Sequence, residues 1–189
     1  IARRHHLVID GHAPGLSGAP LKEYIDAGIS TDHECTSLEE AIEKIALGMK
    51  ILIREGSAAK NYEALKSLIA DYPEKVMFCT DDSHPNDLLS SGEIDKLVRR
   101  AIHDGFDLFD VLKIASYNPI LHYGIDAGCL REGDPADFII LRDLTSFDIL
   151  SVYIDGIEKY NFGGNDENSF RQPVKTINHF NRNIISLAD

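Results

Sequence analysis

His12, His33 and Asp81 are the residues around which chemistry can be organised. Imidazole nitrogens and carboxylate oxygens are the ligands that a divalent cation of the zinc, manganese or iron kind takes. Each of the three closes a short run. Leu7-Val8-Ile9 ends in Asp10-Gly11-His12, the weaker Gly28-Ile29-Ser30-Thr31 ends in Asp32-His33-Glu34, and Val76 to Thr80 ends in Asp81-Asp82. A fourth run, Met49 to Ile53, ends in Arg54-Glu55-Gly56-Ser57. If these runs are parallel strands of one sheet, their carboxyl ends share an edge, and two imidazoles and a carboxylate converge there. A single histidine at a strand end has a plainer use as a hydrogen bonder at the rim of a core. The joint pattern is what points to a metal.

Continuous apolar runs of this length suit strands buried on both faces, as in parallel sheets. Amphipathic helices fill the intervals. Ser37-Leu38-Glu39-Glu40 reads as a capping box, with Leu38, Ile42 and Ile45 on one face and Gly48 as the stop. Leu65, Leu68 and Ile69 form a second stripe ended by Pro73, and Ile94, Leu97, Val98, Ala101 and Ile102 a third ended by Gly105. Asp107 caps a short helix through Ala115 that Asn118-Pro119 closes, and a further short helix lies around Lys22 to Ala27. His12, His33, Glu55 and Asp81 follow one another at intervals of 21, 22 and 26 residues, about one β/α unit each. Polar residues at the carboxyl ends of successive strands are the pattern of a (β/α) barrel, and four units are half of one. From about Gly128 the texture changes. Ala136 to Leu141 is a β run, and Ser151 to Ile154 and Ile157 to Tyr160 flank Asp155-Gly156, a two-residue hairpin signal. The expected division is a half barrel over 1–127 and a β module with a polar, Asn-rich tail over 128–189.

Composition narrows the partners. The chain has 189 residues, 43% hydrophobic, enough for an ordinary core. Acidic residues outnumber basic ones 31 to 19, for a net charge of −12, which speaks against nucleic-acid binding by counterion release. No apolar run approaches the ~20 residues of a membrane span. The opening Ile1-Ala2-Arg3-Arg4-His5-His6 has no leader character, and Cys35, Cys79 and Cys129 form neither a disulfide framework nor a zinc motif. A cytoplasmic protein is expected.

Four motifs in order carry a resemblance: Asp10-Gly11-His12-Ala13-Pro14-Gly15-Leu16-Ser17-Gly18, Asp32-His33-Glu34-Cys35-Thr36, Ile53 to Asn61, and Phe78-Cys79-Thr80-Asp81-Asp82-Ser83-His84-Pro85. Together they resemble the bacterial adenine deaminases of the amidohydrolase superfamily, and Gly133 to Leu141 and Asn178 to Asn181 extend the likeness. The resemblance implies an α/β chain: the C-terminal half of a (β/α)8 TIM-type barrel, strands five to eight, plus part of a small β-sandwich. It implies a binuclear divalent metal site (Mn2+ or Fe2+, with Zn2+ an option), to which His12, His33 and Asp81 contribute ligands. The superfamily's His-x-His on the first strand and its bridging acid on the fourth have no counterpart here, since His5 and His6 are adjacent and precede the first run. The expectation is of a C-terminal portion whose open sheet edges are covered by the remaining polypeptide or another subunit, in a homo-oligomer.

The implied reaction is hydrolysis of adenine to hypoxanthine and ammonia, a step of purine salvage. The cation brings the pKa of water toward ~7, Asp81 takes the proton, and Glu34 or Glu55 protonates ring N1, its pKa raised by desolvation beneath the purine. Glu34 has the plainer alternative of a carboxylate before the helix at Leu38. Arg54 is read either as a substrate ligand or as a partner of Glu55 or Asp32. Ser57, beside Gly56, suits close approach of a ligand. Asp82 and His84 are read as supports that orient Asp81 or a ligand histidine, with capping of the next segment as the alternative. Cys35 and Cys79 read as small packing residues; His103, His122 and His179 read as structural. Two rivals stand beside the deaminase reading: an amidohydrolase acting on another cyclic amide or amino-heterocycle, and a non-catalytic element that folds only within a larger assembly.

Overall fold

The computed structural model describes residues 2–5 and 7–163. The Asn-rich tail with His179, and His6, lie outside them. The chain is α/β. Three parallel strands, β1 (Thr31–Asp32), β2 (Lys50–Arg54) and β3 (Val76–Cys79), lie in the order β1-β2-β3. The register sets Asp32 opposite Ile51 and Arg54 opposite Cys79, so β2 and β3 end level with each other and β1 gives way to the His33-Glu34 loop three residues earlier. Ile51, Ile53, Val76 and Phe78 are buried, and with Tyr62, Leu65, Leu68 and Ile69 they form the core between sheet and helices. Continuous apolar strands are what burial on both faces selects.

The first run departs from expectation, since Leu7–Ile9 is not a strand. It makes one ladder-type bond, from Ser30 N–H to the Ile9 carbonyl (3.0 Å). After it the side chain of Thr31 replaces the ladder, accepting from Gly11 N–H (3.2 Å) and donating to Asp10 Oδ1 (2.7 Å). The segment still runs alongside β1 and delivers His12 to the same edge.

Helices α1 (Gly18–Asp26), α2 (Leu38–Ala46), α3 (Tyr62–Leu65), α4 (Leu68–Asp71), α5 (Pro85–Ser91), α6 (Ile94–His103) and α7 (Leu108–Leu112) occupy the intervals. Ser37 caps α2 by accepting from Glu40 N–H (3.3 Å), but the Glu40 carboxylate reaches past Ser37 to Thr36 N–H (3.0 Å), so the box is half closed. The buried face of α2 is Ala41, Lys44 and Ile45; Ile42 is exposed, so the expected stripe is rotated toward a lysine. Asp107 caps α7 as expected, accepting from Phe109 and Asp110 N–H. Asn118-Pro119 does not close the helical run. The chain passes through a π turn (Lys113–Tyr117) into α8 (Asn118–Tyr123), with Pro119 in the first turn, where a missing N–H costs nothing.

A second sheet, antiparallel, contains β4 (Phe138–Leu141), β5 (Ile149–Ile154) and β6 (Ile157–Asn161). Asp155 and Gly156 at the hairpin both have positive φ (52° and 72°), as a primed two-residue turn requires. Among the described residues no helix is long and apolar enough to cross a membrane.

Candidate active site

The loop after β1 and the segment that runs alongside it bring three ligand-type side chains together. The ring nitrogens of His12 and His33 and a carboxylate oxygen of Glu34 all lie within 4.8 Å of one another. Glu34 Oε1 is 3.7 Å from His12 Nδ1 and 3.5 Å from His33 Nε2, and the two rings meet edge to face at 5.3 Å. His12 is exposed, while His33 and Glu34 are partly buried. The close group therefore contains both expected histidines with Glu34, and Asp81 stands outside it.

Arg54 makes the connection to Asp81. Its buried guanidinium donates through Nη1 to Glu34, and through Nη2 it meets Asp81 Oδ2 (2.7 Å) and Asp82 Oδ1 (3.1 Å). One cation at the end of β2 thus joins carboxylates from the ends of β1 and β3. Neither of the partners expected for it, Glu55 or Asp32, is among these. Glu55 instead pairs with Arg100 of α6 (3.0 Å), because successive residues at a strand end point to opposite faces. Of the two glutamates read as proton donors, only Glu34 is gathered at the imidazoles.

Asp81 adopts a left-handed backbone (φ 49°), a conformation in which Asp and Asn are enriched among non-glycine residues. Asp82 is fastened by Ala58 N–H (3.0 Å) and Ala59 N–H (3.3 Å). Gly56 makes that possible: a Cβ there would lie 1.5 Å from Asp82 Oδ1 and 2.7 Å from the Thr80 carbonyl. Ser57 Oγ donates to Asp87 Oδ2 (2.5 Å) and accepts from His84 N–H (2.7 Å). His84 caps α5, its Nδ1 accepting from Asn86 N–H (3.3 Å), which is the capping alternative rather than a support for Asp81. Ser57 and His84 thus form a loop clasp beside the site. Cys79, at the end of β3, is pushed up to about 12 by burial, with Asp81 adding to the rise against Arg54, so it stays a thiol.

Several supporting residues gave no functional signal in the sequence, although Asn61 closes the third of the quoted motifs. Tyr24 Oη accepts from His12 N–H (3.0 Å), and Tyr123 Oη donates to Asp10 Oδ1 (2.9 Å). Asn61 donates to the carbonyls of His33 and Cys35 (3.1 Å each) and accepts from Arg54 N–H (2.7 Å), tying the β2 end to the His33 loop. Lys44 is wholly buried between Asp32 (2.5 Å) and Glu40 (2.6 Å). Its only sequence signal is a Glu40–Lys44 spacing of four on a helix. Burial is the largest influence on Asp32 and pushes its carboxyl up; Lys44 and the N–H groups of Glu34 and Ala13 outweigh it and hold it below the usual range. Glu40 is held down in the same way, against burial, by Lys44 and the N–H groups of Thr36 and Gly15.

The donor set fits a divalent cation. Ligand atoms 2.0–2.2 Å from one ion at a tetrahedral angle stand roughly 3.4 Å apart, close to the two histidine–glutamate separations. The set Asp32, Cys35 and Glu40 also lies within 4.8 Å, but there the Lys44 ammonium already supplies the cation.

Comparison with known proteins adds to this geometry. A family profile described as "Amidohydrolase family" matches residues 1–158. The chain is 57% identical over 188 residues to an adenine deaminase of Methanosarcina mazei, covering all of this chain and 34% of that protein. It is 62% identical over 155 residues to an adenine deaminase of Sulfurovum sp., covering 82% of this chain and 29% of that protein. The chain therefore spans about a third of the length of these curated relatives. Among solved structures, a beta-aspartyl dipeptidase of Fervidobacterium islandicum AW-1 is similar with a TM-score of 0.59 at 20% identity, over 79% of this chain and 46% of that one, a likeness of fold.

Proposed function

The chain belongs to the amidohydrolase family, and from that premise we propose that it supplies the C-terminal half of the (β/α)8 barrel, and part of the β-sandwich, of an enzyme that hydrolyses adenine to hypoxanthine and ammonia. The observation that carries the reading is the meeting of His12, His33 and Glu34 beside the carboxyl end of β1, joined through Arg54 at the end of β2 to Asp81 beyond β3. The identity to enzymes named adenine deaminase supplies the substrate. Domain limits of 1–127 and 128–189 follow from the same reading, with the rest of the full-length polypeptide closing the barrel.

His12 and His33 would hold the cation, manganese or iron by preference and one of a pair, and Asp81, which Arg54 holds outside the imidazole group here, would join them as third ligand on turning from the guanidinium. Bound there, a divalent cation supplies Lewis acidity that makes water nucleophilic at neutral pH. Asp81 takes the proton of the attacking water and returns it to the exocyclic nitrogen, which leaves as ammonia. Glu34 delivers a proton to N1 and takes back the remaining proton of the added hydroxyl as the C6 carbonyl forms and ammonia leaves. Arg54 fixes the position of Glu34 while also meeting Asp81 and Asp82. The reading places the enzyme in the cytoplasm, in purine salvage.

The test is Asp81→Asn in the full-length polypeptide. Asn keeps the left-handed backbone, so the fold is expected to survive while ammonia release from adenine falls at least a thousandfold. His12→Ala and His33→Ala are expected to lower bound metal in elemental analysis. Near-normal turnover in Asp81→Asn, or unchanged metal in both histidine variants, contradicts the assignment.

A further inference from the structure

We infer that Lys44 is the positioning residue of the site: through Asp32 and Glu40 it staples the loop that carries His12 to the strand end that carries His33. The inference rests on the reading of those histidines as metal ligands.

The geometry is doubled. Asp32 Oδ1 accepts one N–H from each segment, Ala13 (3.3 Å) next to His12 and Glu34 (3.0 Å) next to His33. Glu40 does the same one step farther out, with Oε1 accepting from Gly15 N–H (2.7 Å) and Oε2 from Thr36 N–H (3.0 Å). Lys44 Nζ donates to Asp32 Oδ2 (2.5 Å), to Glu40 Oε1 (2.6 Å) and to the Ala13 carbonyl (2.7 Å). All three donor sites of the ammonium are thereby used on groups that flank the two imidazoles, and the side chain has no exposure. Asp32 is buried and Glu40 partly so, and carboxylates withdrawn from water need a counter-charge; Lys44 is the cation that meets both. The helix α2 is rotated to bring a lysine, rather than Ile42, onto its buried face. An ordinary core position has no use for that arrangement; a staple between two ligand-bearing segments does. Partners that orient metal ligands from outside the coordination shell are typically worth about 10–100-fold in metal affinity.

The experiment uses the full-length polypeptide and Co2+, titrated by its visible absorption. Lys44→Met alone leaves the buried Asp32 and the partly buried Glu40 unpaired and endangers folding. The informative variant is therefore Lys44→Met/Asp32→Asn/Glu40→Gln, which removes all three charges at nearly constant volume. It is expected to fold by circular dichroism and to bind Co2+ at least tenfold more weakly. Leu65→Ala, which damages a core position away from the loops, is expected to lose stability yet keep Co2+ affinity within twofold. A folded triple variant that also binds Co2+ within twofold of the parent overturns the positioning role. If instead His12→Ala and His33→Ala leave Co2+ binding unchanged, the ligand reading beneath it falls. Hydrogen exchange on the unmutated protein gives a second measurement without substitution. The N–H groups of Ala13, Gly15, Glu34 and Thr36 are expected to exchange as one protected set, and exchange of the first two many times faster than the last two refutes the staple.

Discussion

Gly11→Ala tests whether the site depends on how closely the His12 segment approaches β1. A Cβ at Gly11 would stand 2.2 Å from the Thr31 carbonyl oxygen, 2.7 Å from Ile29 Cγ2 and 3.0 Å from the Tyr24 hydroxyl. Non-bonded carbon needs about 3.5 Å, so the two segments must part by roughly 1 Å. The carbonyl cannot swing aside, because Thr31 is held in register with Lys50. Gly11 immediately precedes His12, and Thr31 lies two residues before His33, so the displacement falls on the spacing of the two imidazoles. Overpacking of this kind costs about 1–3 kcal/mol, and a 1 Å misplacement near reacting groups costs about a hundredfold in rate. Gly15→Ala is the control. Gly15 has φ +70° and nothing within 4 Å of its Cβ position, so alanine costs about 1–2 kcal/mol in left-handed strain without pushing on His12. Urea unfolding and ammonia release from adenine, both on the full-length polypeptide, separate the two. Comparable losses of stability are expected, with a hundredfold loss of turnover in Gly11→Ala alone. Equal turnover in the two variants refutes the reasoning.

Glu34→Gln is expected to lower kcat at least a hundredfold with little change in stability, whereas Glu55→Gln, which loosens only Arg100, leaves kcat within threefold; steady-state kinetics that rank them the other way move the donor role to Glu55. Glu40 gives a pH dependence. Its folded carboxyl lies below its ordinary range, so its contribution to stability is complete above that range and is lost as pH falls through the depressed folded value. Glu40→Gln is therefore expected to be less stable than the parent at pH 7, with the gap closing below about pH 4; a gap that is constant with pH in urea titrations contradicts the charge-based account.

Much of the fold was legible because it rests on local periodicity. Met49 to Ile53 and Val76 to Thr80 are apolar apart from Lys50 near the start of one and Thr80 at the end of the other, and they became β2 and β3 with Ile51, Ile53, Val76 and Phe78 in the core. Asp155-Gly156 demanded a turn with two positive φ values and formed one. The failures share a cause, since tertiary partners decided what local pattern left open. Leu7–Ile9 has strand composition, but the Thr31 side chain takes over from the ladder after one bond. Asn118-Pro119 has the look of a stop. Asn118 is instead buried and donates to the carbonyls of Pro73 and Val76, which holds the chain in register for α8.

At the site, the residues legible in advance were those whose side-chain type is itself a chemical statement, namely His12, His33, Asp81 and the acids beside them. What remained hidden was how their charges are distributed. Six carboxylates, those of Asp10, Asp32, Glu34, Glu40, Asp81 and Asp82, gather near the strand ends, and the buried cations among them are two, Lys44 and Arg54. Lys44 serves the buried Asp32 and the partly buried Glu40, where carboxylates without a counter-charge are costly. Arg54 divides one charge among Glu34, Asp81 and Asp82 at the rim, where water shares the load. The inner pair of acids is thus locked as scaffold, and the outer three are left with more negative charge than their one guanidinium can neutralise. A rim of that sign, in a chain of net charge −12, attracts a small divalent cation and repels polyanions. The same division of two cations over five of these six acids, with Asp10 met by the hydroxyls of Thr31 and Tyr123, accounts for a well-paired base under the imidazoles and an acidic edge above them.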